Sequence, residues 1–328
     1  MPVLAAPMAG GPTTPGLVAA AARAGSAGFL GAGYLTPDQL AATIAEVRAT
    51  TELFGVNLFV PDSGTVDRDR VRDYRRLIAP EADRLGVELG EPRWDDDDHW
   101  PAKVDLLVHD PVPWVSFTFG LPDRTTVSRL LRSGSRLLMT VTSSDEARLA
   151  ADLDPDGLVV QSAAAGGHRG TFDQHRTPGA EPLPDLLRAV GAVTDLPLVA
   201  AGGIGTAAQV AEAIEAGAEA VAVGTALLLA DEAGTRPTHR RALAEPTATS
   251  TTTRAFTGRV AGGIANAFSE RYDAAAPPGY PAMHHITAPL RRWAAEHDRS
   301  DYLHLWAGSG HRHARPGSTE ELLGGLIP

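Results

Sequence analysis

The chain has 328 residues, a formal net charge of −11 and no cysteine. A phosphate backbone is bound by a basic face, so nucleic acid is not an expected partner, and disulfides, thiolate metal sites and thiol nucleophiles are excluded outright. With 43% hydrophobic but only 5% aromatic residues, the core must be filled mainly by Ala, Val, Leu and Gly. Net charge constrains a small substrate little, because the field inside a cleft can oppose it.

The 29 basic residues include one lysine, Lys103. This bias toward arginine, with abundant Ala, Gly and Pro, points to a GC-rich bacterial genome. A Schiff-base mechanism needs a lysine at a strand end, and Lys103 falls in a charged stretch that reads as irregular. The opening MPVLAAPMAGGP has no basic segment before a long apolar run, so no secretory signal is expected. No run of about 20 apolar residues suggests a membrane span, and a cytoplasmic protein is the expectation.

The predicted elements begin with a strand over 3–6. Thr14 offers an N-cap and Pro15 a first-turn proline, predicting a helix over 17–24 that Gly25 can end in the left-handed conformation. Residues 28–31 read as the next strand. The unit then recurs, with a helix over 38–49, strands over 54–58, 114–118 and 136–141, a helix over 144–151, strands over 157–161 and 197–201, a helix over 206–216 and a strand over 220–223. Short, continuously apolar strands separated by helices imply parallel strands buried on both faces. Eight of them fit a closed (β/α)8 TIM-type barrel better than a doubly wound sheet.

Two segments break this rhythm. Residues 61–113 predict a helix near 68–85 and then a surface excursion containing Asp95, Asp96, Asp97 and Asp98. Adjacent aspartates without intervening glycine lack the usual calcium-loop geometry, so a solvated loop is expected there. Residues 232–300 lie beyond the eighth strand, include a nearly all-hydroxyl run at 247–253, and read as a small, mainly helical cap over the barrel mouth. The barrel is assigned to 1–231, completed by a tail over 301–328.

Chemistry is expected where the strands end. Gly202 and Gly203 follow the seventh strand; Gly224 and Thr225 follow the eighth and read as opening an apolar helix. Glycine N–H groups ahead of a helix N-terminus make an anion site, and phosphate binding after the last two strands recurs in barrels. Pro7, Met8 and Ala9, with glycines behind them, follow the first strand, where bare backbone admits a flat ligand. Asn57 and Gln161 close the third and sixth strands with amides that both donate and accept. Gly166 and Gly167 precede His168 directly after the sixth strand, and histidine is the usual general base near neutral pH. His284 and His285 have neither an i,i+4 histidine nor a nearby carboxylate cluster, so a packing or lid role is expected and no metal.

The motifs Pro7-Met8-Ala9-Gly10, Gly55-Val56-Asn57-Leu58, Val115-Ser116-Phe117-Thr118-Phe119-Gly120, Gln161 with Ala165-Gly166-Gly167-His168, Ala201-Gly202-Gly203-Ile204 and Val223-Gly224-Thr225-Ala226 resemble the successive motifs of the nitronate monooxygenases, once called 2-nitropropane dioxygenases. Thr253-Arg254-Ala255-Phe256-Thr257-Gly258-Arg259 and Leu305-Trp306-Ala307-Gly308 are similar too, so the likeness covers nearly the whole chain. It implies FMN contacts at Asn57, Gln161, Gly166, Gly203, Gly224 and Thr225, and a cap after the eighth strand. It implies oxidation of alkyl nitronates by O2 to a carbonyl compound and nitrite, with His168 as the base that ionises neutral nitroalkanes. Family members often carry Glu where Ala164 stands and Gln where Ser309 stands; both are expected to border the active site, which leaves the substrate range open. A homodimer is compatible with this reading. Two alternatives stand beside it: an FMN-dependent enoyl-thioester reductase using NAD(P)H, against which the long cap and Trp306-Ala307-Gly308 weigh, and a non-catalytic flavin- or phosphate-binding barrel, against which His168 weighs.

Overall fold

The computed structural model describes residues 2–61 and 64–328. Its strands in chain order are β1 (Val3–Ala5), β2 (Gly28–Gly31), β3 (Phe54–Phe59), β4 (Trp114–Thr118), β5 (Arg136–Val141), β6 (Gly157–Gln161), β7 (Gly167–His168), β8 (Leu198–Ala201), β9 (Ala220–Val223), β10 (Ser250–Thr253) and β11 (Ala261–Ile264). Eight of these close a parallel barrel in the order β1-β2-β3-β4-β5-β6-β8-β9. β1 completes the circle, pairing Ala5 with Gly28 on one side and Val3 with Val221 on the other. The chain is therefore a (β/α)8 TIM-type barrel.

The helices are α1 (Pro15–Arg23), α2 (Pro37–Arg48), α3 (Arg68–Arg84), α4 (Trp100–His109), α5 (Arg124–Ser133), α6 (Ser144–Ala151), α7 (Leu183–Gly191), α8 (Ala207–Glu215), α9 (Pro237–Ala244), α10 (Ala267–Tyr272), α11 (Ala282–Glu296) and α12 (Thr319–Gly324). Their starts follow local chemistry. Thr14 Oγ1 accepts from Leu17 N at 3.0 Å with Pro15 in the first turn of α1, and Thr36 and Gln39 form a reciprocal capping box at α2. Thr206 and Ser143 cap α8 and α6 by accepting from Gln209 N and Glu146 N.

Four helices, α4, α5, α7 and α12, are not among the expected elements. The stretch around 100–109, read as part of a surface excursion, is the barrel helix α4, and Lys103 lies on it, 1% exposed. A buried ammonium needs partners. Lys103 Nζ donates to Ala32 O at 2.9 Å and pairs with Asp98 at 2.7 Å. The acidic run is thus only partly solvated: Asp98 neutralises Lys103, and Asp96 pairs with His285 at 2.5 Å.

The apolar interior falls into two main clusters. One fills the barrel and its helices and takes in Leu322 and Leu323 of α12. The other joins Val71, Tyr74 and Ile78 of α3 to Phe256, Phe268, Met283 and Ile286, together with Leu303, Leu305 and Ala307 of the tail. We propose a barrel and a cap on this basis, with α3 packed into the cap although it precedes the fourth barrel strand. The cap also holds a small antiparallel sheet, β10-β11-β7, in which Ala261 pairs with His168. That ladder ties the loop after β6 to the cap.

Candidate active site

The C-terminal ends of the barrel strands open into a cavity of about 520 Å³ beneath the cap, within the size range of cofactor and substrate sites. Pro7, Met8, Ala9, Asn57, Gln161, Gly166, Gly167, His168, Gly202, Gly203, Gly224 and Thr225 all line it. No aspartate or glutamate does so among the described residues, whereas Arg236, Arg291 and Arg292 do. A protein of net charge −11 therefore presents a wholly cationic set of charges to its cavity.

One wall carries unpaired backbone donors. Gly202 and Gly203 are consecutive residues with φ of +97° and +79°, a conformation that glycine adopts without strain. Among the described residues the N–H groups of Gly203, Gly224 and Thr225 find no protein acceptor. Such donors call for an anionic or water partner. The expected helix after Gly224 is only a 3-10 turn, Thr225–Leu227. An anion here would therefore meet individual N–H groups and not a helix dipole, because three residues align too few peptide units. Ala164 and Ser309 flank Gly203, where a Cβ would lie 2.8 Å from Ala164 Cβ and 3.5 Å from Ser309 Oγ. Neither of these two side chains lines the cavity. Both stand against Gly203 on the side away from the cavity.

The two amides are held differently. Asn57 is 4% exposed, and its Oδ1 accepts from Ser116 Oγ at 2.9 Å and Thr118 Oγ1 at 3.0 Å. These donors orient the amide and leave Nδ2 free to donate into the cavity. Gln161 has both ends engaged by the next loop: Oε1 accepts from Gly170 N at 2.8 Å and Nε2 donates to His168 O at 3.3 Å. Gln161 therefore holds the histidine loop, with one Nε2 hydrogen left for a ligand. At the first strand, Gly31 is needed because a Cβ there would lie 2.7 Å from Ala9 N.

His168 stands among Phe119, Tyr280 and Trp306, with ring centroids 5.5 to 5.8 Å away. Its Nε2 lies 2.8 Å from Thr257 Oγ1. Burial, then the positive charges of Arg259, Arg291 and Arg169, lowers its pKa to about 3. The imidazole is neutral at ordinary pH, with a lone pair ready to accept a proton. Arg259 is fully buried, its guanidinium carbon 4.1 Å above the Phe119 ring. Arg169 folds the loop by donating to the carbonyl groups of Ala165 and Ala163.

Several cavity residues escape a reading of the sequence. Arg291 is 7% exposed and donates to Thr287 Oγ1 at 3.1 Å and His284 O at 2.8 Å, with no carboxylate partner among the described residues. Burial pushes it down to about 10, still protonated near neutrality. His239 Nε2 and His304 Nδ1 are buried without a hydrogen-bond partner beside the same cavity. His284 stacks on Tyr34 at 4.3 Å and His285 pairs with Asp96. Thr257 lay within a quoted motif, but only its contact with His168 gives it a role.

A closed barrel with unpaired N–H donors at the ends of its last two strands, and a neutral histidine in an arginine-lined cavity, defines a cofactor-dependent barrel enzyme. The family model described as nitronate monooxygenase matches residues 1–328, and the chain belongs to that family of oxidoreductases. A probable nitronate monooxygenase of Staphylococcus saprophyticus is 34% identical over 319 residues, covering 95% of this chain and 89% of the relative. One from Staphylococcus aureus is 32% identical over 333 residues, covering 99% and 93%. Among solved structures, nitroalkane oxidase from Streptomyces ansochromogenes superposes with a TM-score of 0.94 at 41% identity, covering 99% of this chain and 94% of that one. FabK from Thermotoga maritima shares the fold, with a TM-score of 0.75 at 22% identity, covering 99% and 91%. Among the described residues, no helix is long and apolar enough to cross a membrane.

Proposed function

We propose that this chain binds FMN and oxidises alkyl nitronates with O2 to a carbonyl compound and nitrite, and that His168 first ionises neutral nitroalkanes. The observation that carries this reading is a neutral imidazole in a cavity whose charged side chains are all arginines. FMN fits the residues present. Its phosphate would be held by the N–H groups of Gly203, Gly224 and Thr225, which find no acceptor among the described residues, and its polar ring edge by Asn57 Nδ2 and the remaining Gln161 hydrogen. FMN is preferred to FAD because there is one phosphate cradle and no dinucleotide fingerprint after the first strand. When bound, FMN supplies the electron transfer between substrate and O2.

The side chains supply acid–base and electrostatic work. A nitroalkane loses its α-proton to His168, and the electron pair left behind becomes the nitronate charge. The arginines that disfavour an isolated imidazolium favour the nitronate formed beside it. Arg291 would take that anion, since no carboxylate among the described residues already neutralises it. The aromatic rings around His168 leave little room for water on three sides of it, which strengthens both effects.

The decisive experiment mixes the purified yellow protein anaerobically with a nitronate and, separately, with NADPH. Bleaching of the flavin by the nitronate, and nitrite release on admitting O2, is the expected result. Bleaching by NADPH alone would make the protein a reductase; bleaching by neither would leave a binding barrel.

A further inference from the structure

We infer that Thr257 is a positioning residue that fixes the tautomer of His168, so that Nε2 carries the ring proton and Nδ1 takes the α-proton of the substrate. The inference rests on His168 being the base. Nε2 lies 2.8 Å from Thr257 Oγ1, and Thr257 is 1% exposed. The same hydroxyl reaches Arg259 O at 3.4 Å. A hydroxyl has one proton to give, and a carbonyl can only accept. With that proton directed at Arg259 O, the lone pairs of Oγ1 receive Nε2–H. The reverse arrangement would put the proton on Nδ1 and aim the Nε2 lone pair at a buried hydroxyl, out of reach of any substrate. Nδ1 bonds to no described residue, is not sealed from solvent, and belongs to a ring that lines the cavity.

Both partners are held in place. His168 sits on β7, laddered to Ala261, with the next residue donating from Arg169 N to Val260 O at 2.8 Å. Thr257 belongs to a tight turn in which Gly258 N donates to Arg254 O at 2.8 Å. Gly258 has a φ of +81°, and a Cβ there would lie 2.7 Å from Gly279 N, so the turn has little room to shift. Phe119, Tyr280 and Trp306 crowd the imidazole and oppose a ring flip.

The arrangement also explains how a base survives in a cationic, dry site. The α C–H bond breaks, its electron pair passes to the nitro group to form the nitronate, and the proton joins Nδ1. The ring is then an imidazolium, and the existing Nε2–H to Oγ1 hydrogen bond becomes charge-assisted and stronger. Thr257 thus favours the protonated product of the step without moving.

The test uses flavin-saturated full-length protein. With the histidines labelled by ¹⁵N, His168 is expected to show a proton-bearing Nε2 and a lone-pair Nδ1. Thr257→Val should erase that preference and lower kcat with a neutral nitroalkane about 10–100-fold, the usual cost of losing an orienting partner. Turnover of a preformed nitronate should stay within about twofold, and Thr257→Ser should restore the nitroalkane rate. A lone-pair Nε2 in the unaltered protein overturns the inference, and so does an equal loss with both substrates in Thr257→Val. If the valine variant does not fold, the labelled spectrum of the unaltered protein decides alone. His168→Asn separates the two levels: if it fails to distinguish the substrates, the base reading falls, and if it does while Thr257→Val does not, only the tautomer assignment falls.

Discussion

The backbone N–H of Gly308 donates to Thr225 Oγ1 at 2.9 Å. The C-terminal tail thereby fixes the residue that follows the last barrel strand. Gly308 also meets Gly166, where an added Cβ would lie 2.5 Å from Gly308 N. The loops after β6 and β9 are joined by this backbone contact.

That geometry sets two glycine substitutions apart. A Cβ at Gly224 would meet Met8 Sδ at 3.5 Å, Met8 Cγ at 3.6 Å and Ala6 Cβ at 3.7 Å, all ordinary contacts, so Gly224→Asp should fold. Its carboxylate would face the phosphate, and like-charge repulsion in a partly dry site should weaken FMN binding by at least about tenfold, or about 1.4 kcal/mol. Titration followed by flavin fluorescence measures this. An unchanged Kd in the folded variant would remove the cradle from this position.

Gly166→Ala should instead fail on packing. The tail backbone cannot yield as a flexible side chain would, and overpacking of this kind costs about 1–3 kcal/mol. Chemical denaturation should show a lower midpoint than the unaltered protein, without any change in the charge of the cavity. An unaltered midpoint would mean that the Gly166–Gly308 contact is looser than its geometry.

The barrel was legible because its strands are short, mostly apolar runs, and β8 and β9 are each followed directly by glycine. That pattern placed His168, Asn57 and the two glycine sites on one mouth. Other parts were illegible for specific reasons. α4 starts from His99, in the left-handed conformation and without a side-chain cap, and its buried Lys103 interrupts the apolar pattern. Thr257 meets His168 across 89 residues, and nothing local marks a threonine as the neighbour of a base. Arg291 looks like any arginine on an amphipathic helix until its missing carboxylate is seen. Ala226, Leu227, Leu228 and Leu229 are strong helix formers, so sequence alone favours a helix after Gly224; the segment is a 3-10 turn whose side chains are buried in the two apolar clusters.

Acid should destabilise the fold in a defined window. Burial lowers His239 from 6.5 to about 4 and, with the arginine charges, His168 to about 3. His284 and His304 are also held well below the ordinary value, burial again the first cause. The unfolded chain takes up protons below 6.5 while the folded chain refuses them, so protons favour unfolding. Stability is full above 6.5 and falls as pH drops from roughly 6.5 toward 4, ahead of most carboxylate effects. Thermal scans at steps of pH across this range measure it, and a flat Tm from about pH 7 to 5 would contradict it.

Arg291→Met should trade binding for stability. A buried guanidinium without a carboxylate is costly, and an apolar side chain of similar length often replaces such a charge at no loss. Tm is expected to stay level or rise. A charge-assisted hydrogen bond to the nitronate is worth about 1.5–3 kcal/mol, so KM for the anion should rise roughly 10- to 100-fold. Steady-state oxygen consumption with a nitronate reads this directly. An unchanged KM would assign the anion to other donors.

His168→Asn tests the chemistry itself. A neutral nitroalkane must lose its α-proton before it can be oxidised, whereas a preformed nitronate has already lost it. General bases contribute about 10²–10⁴-fold to such a step. The variant should therefore nearly abolish turnover of the nitroalkane and keep much of the turnover of the nitronate. Removing the imidazole also removes part of the packing against Phe119, Tyr280 and Trp306, so some loss with the nitronate is expected too. The ratio of the two losses carries the result. Oxygen consumption with both substrates, in protein first saturated with flavin, gives that ratio. Equal losses accompanied by weak flavin binding would make His168 the anchor of the β7 loop and nothing more. A loss confined to the nitroalkane assigns the proton to it.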